Sequence, residues 1–251
     1  MSYLFLRMNV ILLITLSFAG TAIANCYDPA APGVNWSGCD KSSLNLENSD
    51  LSGAILTKVN FSDSNLSGAR LIDAELSYSL LDHTRFNNAR LNRARFVAVE
   101  GKATSFMGAD LTGARFSRAK LQQADFSKAS MHATGFYESS LLETNFKNAD
   151  LSKSNFERAN LALSVLNFAD LSFSNMKNAQ MEGVNLSNAL LFKAELDESN
   201  LRDANFTAAK LEKASLRDAQ LDNTVFKDAD LSDAIWVEYR RCRSGSVGLC
   251  R

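Results

Sequence analysis

Proline is almost missing from this chain. Of 251 residues only Pro29 and Pro32 are proline, both near the N-terminus, so no Pro-rich linker divides the rest into modules. Histidine is as scarce, with His83 and His132 far apart in sequence. No H-E-x-x-H, no G-x-S-x-G and no Gly-rich phosphate loop occurs. Metalloprotease, serine-hydrolase and nucleotide-binding readings therefore have nothing to stand on, and either histidine reads as a surface residue rather than a base. Net charge is only −1, which gives the whole molecule no simple case as a polyanion binder. The four cysteines include no C-x-x-C pair, so catalytic and zinc-binding cysteine are disfavoured. The sequence implies no cofactor and no metal. What remains is an ordered composition, 46% apolar and 22% charged, as globular chains have.

The N-terminus reads as an address. Arg7 precedes the apolar run NVILLITLSFAG, and Ala22-Ile23-Ala24 supplies a small-x-small cleavage site. A signal peptide over 1–24 with a mature start at Asn25 is expected. The run is short for a membrane span, and Asn25 stands where lipidation at Cys26 would want a small residue. Export places the chain in an oxidising compartment, the bacterial periplasm or outside the cell.

The dominant pattern is a period of five. Every fifth residue from Leu46 to Trp236 is Leu, Phe, Met or Trp, except Gly101. Two positions earlier runs a second column, from Leu44 to Ala234, which after Leu44 holds only Ala, Ser, Thr or Val. A helix would carry this stripe round its axis, and a single strand would flip it from face to face. Residues two apart point to one side of a short extended segment. Both columns therefore face inward, and the polar residues between them form turns. A chain that bends the same way at every unit is a solenoid. Phe86, Phe106, Phe126 and Phe146 would form one inner stack, with Phe96, Phe116, Phe136 and Phe156 opposite. Gly101 reads as a packing adjustment or bulge, with Val99 filling part of the gap.

The units ADLTG, ARFSR, ANLAL, ADLSF and ADLSD resemble the pentapeptide-repeat family, and the likeness runs from Leu44 to Trp236. The resemblance implies an all-β fold: a right-handed quadrilateral β-helix of about 20 residues per coil. Such a rod needs a cap at each end. The cap at 25–43 holds Cys26 and Cys39, the cap at 237–251 holds Cys242 and Cys250, and the repeats fill 44–236. Four cysteines allow three pairings. Two would bridge opposite ends of the rod, beyond disulfide reach, which leaves Cys26–Cys39 and Cys242–Cys250.

Function must then lie on the outer surface. Charge is banded: net −5 over residues 28–82, +6 over 85–128 and −5 over 195–233. Arg85, Arg90, Arg93, Arg95, Arg115, Arg118 and Lys120 are the candidate anion contacts for lipid headgroups or polysaccharide. Leu163, Val165, Phe168, Phe173, Leu190 and Phe192 break the outward polar rule and are the candidate partner contact. Phe173 and Phe192 should share a face on adjacent coils, with Phe168 and Leu190 round the preceding corner. The expected function is a non-enzymatic exported scaffold or interaction rod, with a protein partner or homodimer. The alternative that the resemblance raises, a DNA-mimic topoisomerase binder, is disfavoured by the signal peptide and the basic waist. Nucleic acid is an unlikely partner for the same reasons.

Overall fold

The computed structural model describes residues 24–251; the expected signal peptide lies almost wholly outside them. One device builds the fold. Parallel bridges recur every five residues, and each joins residues twenty apart: Asp50 to Arg70, Ile55 to Glu75, Asn60 to Leu80, Asn65 to Arg85. Four columns of bridges run along the rod, named here by their first members as the Asn35, Asp40, Asn45 and Asp50 sides. This register never slips from Asn35 to Ile235.

The large inward residues of the stacked coils donate their N–H to the coil above, as Leu51 does to Arg70 (2.7 Å) and Phe116 to Gly135 (2.7 Å). Return bonds run down, as from Arg70 N–H to the Ser49 carbonyl at 2.8 Å. Between bridges the chain turns: Ala54 N–H reaches back to Leu51 at 3.1 Å, with Gly53 at φ 63°. A positive φ at the third turn residue is what a type II turn requires. It recurs at that position throughout, whether the residue is Gly, Asn, Asp or Lys.

Two motif letters gain a reason. The Asp or Asn before each inward residue accepts the N–H of the first turn residue, as Asp50 does from Ser52 and Asn65 from Ser67. That satisfies a donor the ladder leaves over. Where Thr replaces Ala in the small column, its hydroxyl donates to a carbonyl 23 residues earlier, as Thr84 does to Phe61 and Thr134 to Leu111, and so does Ser164 to Leu141; Ser139, Ser174 and Ser199 donate instead to the carbonyl three residues back. Most hydroxyls in this core are thereby paired; those of Ser49 and Ser154 have no hydrogen-bond partner.

The interior is aromatic in its middle third. Phe96, Phe116 and Phe136 stack at 4.6 and 5.0 Å, and Phe106 and Phe126 at 4.7 Å. The two stacks meet edge to face across the axis, Phe106 on Phe116 at 5.7 Å, the geometry aromatic quadrupoles favour. Gly101 is neither a bulge nor a gap. Bridges continue through Glu100 on both sides, and the place of a Cβ is taken by Thr104 Oγ1, with Leu81 and Leu121 close behind. Val99 is not among these neighbours.

The ends depart from the expected pattern. Leu44, assigned to the inner column, is 41% exposed, because it lies in the lowest coil. Trp36 is buried there instead, its indole N–H donating to Asp28 at 3.1 Å under the Lys41 ammonium. Disulfides join Cys26 to Cys39 and Cys242 to Cys250. Beyond Trp236 the chain folds back antiparallel, pairing Val247 with Asp230 and Arg241 with Ile235. It covers two sides of the last coil and leaves Leu221 and Phe226 partly exposed.

Candidate functional site

The outward positions are two turn residues and one bridge residue per unit, so surface chemistry is set by whatever those slots hold. At Leu163, Phe168 and Phe173 three successive corners hold large apolar residues, at φ 57°, 61° and 61°. They are 57%, 53% and 49% exposed. A bulky residue in the left-handed region costs about 1–3 kcal/mol, and exposure returns none of it. Gly183, at φ 65°, lies one coil above Leu163: a side chain there would meet Leu163 Cδ2 at 2.8 Å.

The structure divides the six apolar candidates. Phe173, Leu190 and Phe192 come together on the Asp50 side, with Phe173 and Phe192 edge to face at 5.4 Å. Leu190 bridges Asp170 and Lys210, so it shares that side rather than sitting round the corner with Phe168. Phe168 marks the adjoining corner; Leu163 and Val165 lie further round. Two cations complete the patch. Lys193 Nζ is 5.3 Å from the Phe192 ring centre and 5.7 Å from that of Phe173, and Lys213 Nζ is 5.6 Å from Phe192. Among the described residues neither lysine has a carboxylate within 4.0 Å.

The basic candidates are dispersed. Arg85 is on the Asn45 side, Arg90 and Arg93 on the Asp50 side, Arg95, Arg115 and Arg118 on the Asn35 side, and Lys120 on the Asp40 side. Three are already paired one coil away: Arg93 with Asp73 at 2.6 Å, Arg95 with Glu75 at 2.7 Å, Lys120 with Glu100 at 2.8 Å. Arg95, Arg115 and Arg93 line one shallow groove with Asp73 and Gly113. His83 is exposed, and His132 Nδ1 lies 2.9 Å from Ser152 Oγ.

A polar node near the C-terminal end has no counterpart in the sequence reading. Asp197 is 6% exposed and accepts hydrogen bonds from the Ser215 hydroxyl, the Arg217 backbone N–H (3.1 Å) and the Arg217 guanidinium (2.7 Å). Burial pushes its pKa up, but these donors outweigh burial and hold it below the ordinary carboxylate value. Tyr239, in the terminal fold-back, donates its hydroxyl to Asp218 beside them. The signal was present in sequence as an Asp and an Arg twenty residues apart in the same turn slot.

Comparison with known proteins finds the same repeat. The family model for a pentapeptide repeat region matches residues 52–126 and 81–156, and that for pentapeptide repeats (8 copies) matches 169–207 and 199–235. Among solved structures, HetL, a protein involved in heterocyst differentiation regulation from the cyanobacterium Nostoc sp., is 25% identical. The match covers 84% of this chain and 92% of that one, with a TM-score of 0.35. QnrB1, a plasmid-mediated fluoroquinolone resistance protein, is 22% identical over 74% of this chain and 92% of its own, with a TM-score of 0.35. A protein of the Arabidopsis thaliana thylakoid lumen is 27% identical over 44% and 70%, with a TM-score of 0.32. No curated protein matches the chain.

Proposed function

We propose that this chain, a member of the pentapeptide-repeat family, is an exported, non-enzymatic interaction rod. In this reading the rod is right-handed and four-sided, with a disulfide-closed cap at each end. Its length, at roughly ten coils of about 4.8 Å each, is on the order of 50 Å. The periplasm or the extracellular space is its compartment; two disulfides and the apolar leader support that.

The observation that carries the reading is the aromatic patch. The repeat places polar or small residues at its corners, yet Phe168 and Phe173 stand there half-exposed at positive φ. Exposed apolar clusters of this kind mark contact surfaces. The dispersed and partly paired arginines support an anion-binding waist less well. Envelope fractionation followed by crosslinking and pull-down tests the reading. A partner should be captured from the envelope by the wild type and lost with Phe173→Asp/Phe192→Asp. Recovery of the protein in the cytoplasm would favour the DNA-mimic alternative.

A further inference from the structure

We infer that the Asp50 side docks a second copy of this chain, lying antiparallel about a twofold axis through the layer of Leu190 and Phe192. This deepens the interaction-rod reading and rests on it. The argument is one of register. Successive layers on this side carry Asp150 with Lys153, Asp170 with Phe173, Leu190 with Phe192 and Lys193, Lys210 with Glu212 and Lys213, and Asp230 with Asp233. Charge thus alternates about an apolar centre, and the two layers flanking that centre differ in kind.

A twofold axis along the strands through the central layer exchanges those flanking layers. Leu190 then meets Leu190 of the second copy, and Phe192 meets its own counterpart. Asp170 faces Lys210 of the second copy, Phe173 faces Lys213, and Lys153 faces Asp233. A twofold interface counts each unlike pair twice. Two like-charge meetings oppose it, Asp150 with Asp230 of the second copy and Lys193 with itself. Parallel alignment of the same faces is worse, because it sets Lys210 against Lys213 and Asp230 against Asp233 and separates the apolar pairs.

The groups required hold no close ion pair, although Lys210 feels the Asp230 carboxylate one coil on and Asp170 accepts the Ser172 backbone N–H at 2.9 Å. Asp170 and Lys210 have no opposite charge within 4.0 Å among the described residues. Lys213 already lies over the Phe192 ring, ready to exchange one aromatic for another. Phe173 and Leu190 are 49% and 45% exposed. A patch a few coils long is small beside stable dimer interfaces of about 800 Å² per partner, so association is weak and concentration-dependent.

Sedimentation equilibrium of the purified protein tests this, with circular dichroism checking that each surface variant is folded. The wild type should show a monomer–dimer equilibrium. Asp170→Lys alone and Lys210→Asp alone should each weaken association by about tenfold, and the double swap should restore it, because both pairs are then reversed together. Leu190→Cys should crosslink into a covalent dimer on oxidation, whereas Ser130→Cys, on the same side but outside the overlap, should not. A wild type monomeric at every accessible concentration overturns the inference. So does a dimer indifferent to the single swaps, or one that the double swap fails to restore. If the wild type is monomeric while Phe173→Asp/Phe192→Asp still abolishes envelope capture, the interaction-rod reading stands and only the self-association falls.

Discussion

Thr104 and Gly101 occupy one space: the Thr104 hydroxyl stands where a Cβ on residue 101 would be, while donating a 2.8 Å hydrogen bond to the Leu81 carbonyl. A side chain at 101 must displace that hydroxyl and break its bond. Gly101→Ala is therefore expected to destabilise the rod by about 1–3 kcal/mol, as overpacking does. Adding Thr104→Ala should return part of the loss. Urea unfolding of the two singles and the double checks it; additive losses would disprove the shared space.

Phe116 touches four rings, stacking on Phe96 and Phe136 and meeting Phe106 and Phe126 edge-on. Phe116→Ala should cost about 3–5 kcal/mol. Coils contact only their neighbours, so the damage should be local. Hydrogen exchange should quicken at the amides of Phe96 to Phe136 and stay slow near Leu186. Uniform quickening along the rod would contradict it.

The Cys242–Cys250 bond closes a short loop over the last coil. Its removal by Cys242→Ser/Cys250→Ser should cost about 2–3 kcal/mol, felt at the fold-back first. The Leu231 and Trp236 amides, which bond to Ser246 and Arg240 at 2.8 Å each, should lose protection. Unchanged exchange at both would show that the cap holds without the bond.

Asp197 supplies an acid sensitivity. Its folded pKa lies below its unfolded value of 3.8. The stabilisation is complete above that unfolded value and is lost as pH falls through the folded one. Asp197→Asn should lower the melting temperature at pH 7 by a few degrees, for a loss on the order of 1–3 kcal/mol. It should also shrink the further drop between pH 5 and pH 2. A variant as acid-sensitive as the wild type would remove Asp197 from this role.

The period of five exposed the two inner columns and both Phe stacks, because inward volume is the one property that every unit repeats. Contacts between coils were harder to read. Asp197 with Arg217, Arg93 with Asp73 and Lys120 with Glu100 all join residues twenty apart. Summing charge along the sequence therefore exaggerated a basic waist that the register partly neutralises. Leu44 misled because the repeat letters do not mark where stacking ends. Gly101 misled because a missing side chain looks like a void until the neighbour that fills it is known.

An uninterrupted register also turns deletions into arithmetic. Removing twenty residues within the repeats would shorten the rod by one layer, about 4.8 Å, and leave every later side chain facing as before. Removing five would keep both columns facing inward, yet swing everything beyond the cut through a quarter turn and, between Phe86 and Phe156, set Phe over aliphatic side chains. Length and aim can therefore change separately in this molecule, one by whole coils and the other by single units.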